Sequence, residues 1–569
     1  AQGTLTFTGV YPGPPELEGS VSVQDADFVA AEVPGVAKSV SGRVTGEMAF
    51  RVKDGDVQEY SGKASAGPAT FVSDGVYPGV EVARGPVRLD VEFSGARGGA
   101  LCYKGKASIS GGDLRAKGLF PGLAELEGKV NSSFDFESTS HGVKYWGSAN
   151  IATGRVVLGG GAVPGLERMD GNVVASMDFR GGGGEATTYS GKAQISGGTL
   201  LAGEVAKGIE RIEGPSSLAV AFSGGIGTRP TYTGTVSVRD ASFRAGEMIS
   251  GMKSVAGRVS GSISFGVAAD GTISYEGSAD LKHVSFAAGA VYPGIRELGG
   301  NGEAHLTFSN KGGSGLKGTA DIVVSGGVLA HDAIGGRVED IAAEISARED
   351  LVEIKGMTGR LGTSWVEASG WLRPGKRAEV SLALKSKDLA LAELGKLTFG
   401  GTGDGGGLAI LAGHAAVDVM LRGYYPALQW TGQIALKGAS IRHPAVGGPV
   451  EGISGLIAFS GNKMSSESLK MTIAGIPVTV RGDVTNLVDP RFDLTVSLAD
   501  ADIRKLGAFL SPGAAMPDVA GRGSITARLT GTARELFAEG SVGLAALTVS
   551  VGGKTVAASN VSGRFRYGE

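Results

Sequence analysis

The side chains that most often do chemistry are sparse in this sequence and poorly spaced for it. Six histidines, at positions 141, 283, 305, 331, 414 and 443, show none of the short spacings that gather metal ligands. His305 falls on the polar phase of an alternating segment, so a solvated face accounts for it. The stretch "GGGGEATTYSGKA" (181–193) looks at first like a loop whose backbone and lysine could cradle a phosphate. It fails as one: Ala186 stands where the first glycine is required, and Ala193 replaces the hydroxyl residue that would meet a metal ion. Its Lys192 recurs as Lys63 and Lys106, which fits a repeating polar face. Cys102, the one cysteine, has no partner thiol and reads as an outward or edge residue. Nucleophile elbows and zinc signatures are missing, and the glycosylation-like triplets at Asn131 and Asn560 carry meaning only if the source is not bacterial. The expectation is a protein that is not an enzyme and takes no cofactor.

What the sequence does repeat is apolar surface. Phe7, Phe50, Phe93, Phe136, Phe179, Phe222, Phe265 and Phe308 recur every 43 residues, eight of the 20 phenylalanines in one register. Each unit of this array has two pieces. The first opens on a turn and ends on the phenylalanine, as in "PGLAELEGKVNSSFDF" (121–136) and "PGLERMDGNVVASMDF" (164–179). The second opens on an aromatic residue, as in "YKGKASISGGDL" (103–114), "YSGKAQISGGTL" (189–200) and "YTGTVSVRDASF" (232–243); "YWGSANIATGRV" (from Tyr145) is a shifted copy.

Both pieces alternate with period 2, the mark of a strand with one greasy and one wet side. Leu126, Gly128, Val130, Phe134 and Phe136 share one side; Glu127, Lys129, Asn131, Ser133 and Asp135 take the other. Polar turns such as "ESTSHG" (137–142) predict antiparallel neighbours, and a fixed period keeps every apolar side chain on one face. That face collects Phe50, Tyr60, Phe93, Tyr103, Ala107, Ile109, Val130, Phe134, Phe136, Tyr145 and Ile151. It continues through Phe179, Tyr189, Ile195, Phe222, Tyr232, Val238, Phe265, Tyr275, Leu281 and Phe308. The small residues beside them (Gly105, Ala107, Gly147, Ala149, Gly191, Ala193) predict room between the aromatic rows.

Composition sets the remaining bounds. Glycine (98) and proline (20) together make up a share of the 569 residues close to the level where disorder is the usual reading, but 42% of residues are apolar and the glycines keep fixed offsets. Lys plus Arg (54) nearly cancels Asp plus Glu (57), which gives no reason to expect nucleic acid. The longest apolar run, "LAILAGHAAVDVML" (408–421), is too short to cross a bilayer and carries His414 and Asp418. The chain opens at "AQGTLTF" and ends at "GRFRYGE", both inside strand-like patterns, so it reads as part of a longer protein. The predicted organisation is residues 1–329 as about eight two-strand repeats, then strand blocks at 330–400 and 401–569. A short helix is predicted over Asp388 to Leu394, and "FGGTGDGGG" (399–407) as a flexible boundary.

The later blocks carry a resemblance. "LKMTIAGIPVTVRGDVTNLVDPRFDLTVSLADADIRKLGAFL" (469–510) is similar to the repeat of the AsmA-like proteins, the relatives of TamB and YhdP. The shared features are an alternating strand, "VTVRG", an Asp/Pro turn, another strand and "DADIRKL"; "LVEIKGMTGRLGTSWVEASGWLRP" (351–374) fits the same scheme. The resemblance covers roughly residues 330–569. It implies an all-β, elongated antiparallel array curled into an open, taco-like groove. It also implies a periplasmic protein anchored in the inner membrane of a Gram-negative bacterium, carrying phospholipid toward the outer membrane. The implied partners are phospholipid acyl chains and membrane components at either end, with no nucleic acid. Two other readings stay open: a TamB-like assembly factor offering strand edges to clients, and a passive β-repeat scaffold or adhesin whose apolar face packs internally.

Overall fold

The computed structural model describes residues 2–7, 16–33, 37–75, 79–118, 122–160, 166–203, 208–225, 228–247, 251–289, 294–311, 317–332, 337–348, 350–375, 377–394, 396–397, 408–424, 427–442, 447–486, 489–510, 518–532, 535–551 and 554–568. The predicted boundary at 399–407 and His443 lie outside the described residues. Two compact units divide the chain. The first holds residues 1–248, 256–281 and 307–317; the second holds 249–255, 282–306 and 318–569.

The protein is all-β, as the alternation predicts. In the first unit, from Gln2–Phe7 to Thr231–Ala245, each strand pairs antiparallel with the next in the chain. In the second unit the same rule runs from Arg337–Arg348 to Lys554–Tyr567, except that Glu379–Ala390 pairs with Leu408–Tyr424 past the short strand Lys396–Leu397, which also pairs with Leu408–Tyr424. No described pairing joins the first strand of either run to its last, so the sheet is open and not a barrel. Within the hairpins of the first unit five of the repeat phenylalanines stand directly opposite a tyrosine: Phe50 faces Tyr60, Phe93 faces Tyr103, Phe136 faces Tyr145, Phe179 faces Tyr189 and Phe222 faces Tyr232, whereas Phe7 faces Leu17. The 43-residue period is therefore two strands, and its register is set by that pair.

One feature of every second strand is absent from the simple alternation. In Cys102–Ala116 the apolar phase runs Tyr103, Gly105, Ala107, Ile109 and then switches to Gly112, Leu114, Ala116. The pairing with Leu123–Thr139 slips between Ile109 and Gly112, and Gly111 takes a φ of 65°. This is a β-bulge: two residues oppose one, so the side-chain phase flips while the face stays the same. The bulge recurs with the repeat, at Asp25 (φ 46°), Gly197 (φ 61°), Asp240 (φ 48°), His283 (φ 50°) and Gly326 (φ 58°). Pro68 and the Thr153–Gly154 pair occupy the same place in the two intervening copies.

The bulges split each long strand into a half toward the Phe/Tyr hairpin and a half toward the Pro-Gly turns. Buried apolar clusters lie on the second half. In the first unit Leu123, Val156, Leu158, Leu166, Met169 and Leu200 pack together. In the second, three clusters form around Val338 and Leu361, around Ala415 and Ile453, and around Ile476 and Leu498.

The helix predicted over Asp388 to Leu394 is corrected. Residues through Ala390 finish the strand Glu379–Ala390, and only Leu391–Leu394 turns, as a 3-10 helix. The Ala390 N–H donates to Ser364 Oγ across the sheet, and the Glu393 carboxylate accepts from the Thr363 N–H at 2.8 Å. These partners extend the strand and clip the turn short. A true helix, Ile503–Leu510, follows Asp502, whose carboxylate accepts from the Arg504 and Lys505 N–H groups as an N-cap. Leu506 from that helix packs on the Ile476–Leu498 cluster, and Phe509 is buried.

Candidate functional site: the apolar face

The 21 residues nominated from the sequence sit on one face, and their exposure distinguishes a covered face from an open one. Ala107 and Ile195 are buried, at 5% and 4% exposure. The other 19 keep an intermediate exposure, including every nominated phenylalanine and tyrosine. Rings enclosed between two sheets would lose nearly all their accessible surface. These rings are shielded by their neighbours within the sheet and remain accessible from above.

The aromatic residues form rows that cross the strands. Tyr103 meets Phe136 with ring centroids 6.2 Å apart, Tyr145 meets Phe179 at 6.4 Å, and Tyr189 meets Phe222 at 6.3 Å. Phe134 bridges Phe136 and Phe179, at 6.2 and 6.5 Å. Tilted contacts at such distances are favourable beyond the area they bury. Burial first, and then neighbouring Tyr189, push the Tyr232 hydroxyl above its ordinary pKa. The Tyr145 hydroxyl shares a 2.7 Å hydrogen bond with Thr187 Oγ1, keeping its polar end satisfied.

The glycines on this face do not provide the room expected of them, and that expectation is corrected. A side-chain carbon at Gly105 would lie 2.5 Å from Phe136 Cζ, and one at Gly191 would lie 2.6 Å from Phe222 Cζ. Each ring from the neighbouring strand lies over the glycine and fills the gap; Gly62 with Phe93 and Gly234 with Phe265 repeat the device. The strands tolerate glycine because a cross-strand ring replaces the missing side chain. Gly147 is likewise closed by the backbone of Ser133 and Phe134. At these glycines the face is a paved surface without gaps between its residues.

The opposite face is charged. Lys104 pairs with Glu92 at 3.1 Å, Lys53 with Glu16 at 3.1 Å, and Arg51 with Glu18 at 2.8 Å, all across adjacent strands and all exposed. In the second unit Arg528 donates two hydrogen bonds to Asp493, which holds that carboxyl below its ordinary pKa. Individually such exposed pairs contribute little to stability, but they keep this face wet. Two concavities open on it: one of about 690 Å³ lined by Glu47, Lys63, Asp90, Glu92, Lys104 and Trp146, and one of about 590 Å³ beside Glu344, Lys355 and Lys385. Their linings mix these charged side chains with apolar ones, Val23, Val91 and Phe136 in the first and Val323 and Met357 in the second.

The other sequence features resolve simply. "GGGGEATTYSGKA" is a hairpin, with a turn at Gly183–Gly184 before the strand Glu185–Ala202. Among the described residues no group of three or more His, Cys, Asp or Glu gathers as a metal site, and no helix is long and apolar enough to cross a membrane. Sequence reading missed the bulges and the cover provided by Leu506 and Phe509. The signal for the bulges was present as Gly or Asp at a 43-residue spacing in "SGGDL", "SGGTL" and "RDASF". The chain matches no family model, no curated protein and no solved structure.

Proposed function

We propose that this chain is part of a bridge-like lipid transfer protein. It would carry phospholipid between the inner and outer membranes of a Gram-negative bacterium, with acyl chains lying on its apolar face and headgroups left in water. The observation that carries the reading is the half-exposed aromatic and aliphatic face on one side of an open sheet whose other side is charged. The similarity of residues 351–374 and 469–510 to the AsmA-like repeat supports the same reading. The periplasmic address and an inner-membrane anchor belong to this proposal.

The energetics explain why such a face is useful. Each methylene moved into water costs about 0.8 kcal/mol, so two ordinary acyl chains cost on the order of 20 kcal/mol. A protein surface that replaces membrane contact step by step removes most of that barrier. No covalent chemistry is required of any residue.

A second reading, a passive scaffold whose apolar face packs internally, is favoured by the buried clusters on the Pro-Gly half of the strands. Native mass spectrometry and lipid extraction of the purified chain separate the two. Phospholipid that copurifies supports transfer; lipid-free protein from membrane-containing cells supports the scaffold.

A further inference from the structure

The two edges of the apolar face differ, and the difference bears on how a lipid reaches it. In the strands from Cys102–Ala116 to Glu185–Ala202 the half next to the Pro-Gly turns buries its own apolar side chains: Ala116 is 0% exposed, Leu123 5%, Val156 4% and Met169 2%. The half next to the hairpins is lined by rings that keep part of their surface. The bulge at Gly111, Gly197 and Asp240 marks the line between the halves.

We propose that, in the first unit, a diacyl phospholipid enters this face sideways over the Phe/Tyr hairpin edge and that the Pro-Gly edge is sealed. This rests on the lipid reading above. The hairpin edge has the chemistry an amphiphile needs at its boundary: apolar ring bodies with hydroxyl ends, as at Tyr145 with its Thr187 partner. The Pro-Gly edge presents a close-packed aliphatic cluster instead, where a guest chain would have to displace side chains already in contact. The acyl chains therefore lie from the hairpin edge toward the bulge line, and the headgroup stays outside the row of Tyr103 and Tyr145. In the second unit the contrast is weaker, because Leu421 (9%) and Val484 (7%) are buried on the hairpin half, and the proposal is confined to the first unit.

The test uses the full chain with the photoreactive residue benzoylphenylalanine, mixed with phosphatidylethanolamine–phosphatidylglycerol vesicles. Three single placements, Tyr103, Ile109 and Leu114, sample the hairpin edge, the bulge line and the Pro-Gly side of one strand. Lipid adducts should form first at 103, then at 109, and least at 114. With the probe at 109, Phe136→Asp should slow adduct formation by about tenfold, because a charge at the entry edge must be desolvated by a passing chain. Leu114→Asp should change it less than about twofold, since no lipid passes that way. Equal slowing by both substitutions, or earliest capture at 114, overturns the one-edge route. Absence of adducts at all three placements overturns the lipid reading instead. If Phe136→Asp loses its strand circular dichroism, the order of capture in the otherwise unsubstituted chain still decides the question.

Discussion

At the scale of single residues, the phenylalanine-over-glycine contact carries most of what is specific to this array. The ring of Phe136 lies where a side chain on Gly105 would be, and the ring of Phe222 does the same at Gly191. Gly191→Val should therefore displace Phe222 and destabilise the protein by about 1–3 kcal/mol, as overpacking does in a close-packed site. Denaturant titration measures it, and a shift below the error of the fit would mean the ring moves freely. The charged face yields a pH prediction. The Arg84 guanidinium, with help from the Ala83 N–H, holds Asp74 below its usual carboxyl range despite an opposing push from burial. A carboxyl depressed in the folded state stabilises it above the unfolded pKa and loses that contribution as pH falls through the folded one. Asp74→Asn should thus lower stability at pH 7, and the gap from the parent should close as the pH falls below the carboxylate range. A gap that stays constant down to acid pH would show that the ion pair plays no part.

At the scale of the strand, the bulge decides whether the apolar face survives the length of the element. Without the extra residue at Gly111, Leu114 and Ala116 would point to the charged side. Gly111→Val should cost about 1–2 kcal/mol, the penalty of a left-handed backbone for a branched residue. His283, which holds the same left-handed position at φ 50°, should gain stability on replacement by glycine, by less than about 1 kcal/mol. Thermal melts of the two variants should move in opposite directions; shifts of the same sign would remove the bulge from the account. This is also where sequence reading reached its limit. Alternation and the 43-residue period revealed strands, hairpins and the aromatic pairs, because each rests on many residues. The bulge is a one-residue event that period counting averages away, although "SGG" and "RDA" mark it once the phase change is known. The short helical candidate failed for a related reason: Ser364 and Glu393, distant in sequence, supply the hydrogen bonds that extend the strand through Ala390.

At the scale of the whole molecule, the repeat makes the chain a sum of similar hairpins, each in contact with its sequence neighbours. Removing one hairpin repeat, residues 103–144, joins Cys102 to Tyr145, the counterpart of Tyr103 opposite the repeat phenylalanine, and should leave a folded array with unchanged strand content per residue. Loss of cooperative unfolding in that shortened chain would contradict nearest-neighbour assembly. The nominated face was legible in the sequence as a phase, but its openness was not: alternation looks the same whether a sheet is covered or bare, and only the partial exposure of the rings separates the two. The measurement that tests the central claim most directly is photocrosslinking in cells with benzoylphenylalanine at Phe136 and, as its counterpart on the charged face, at Lys106. The account predicts phospholipid adducts at 136 and none at 106. Adducts at neither position, or equally at both, would contradict it.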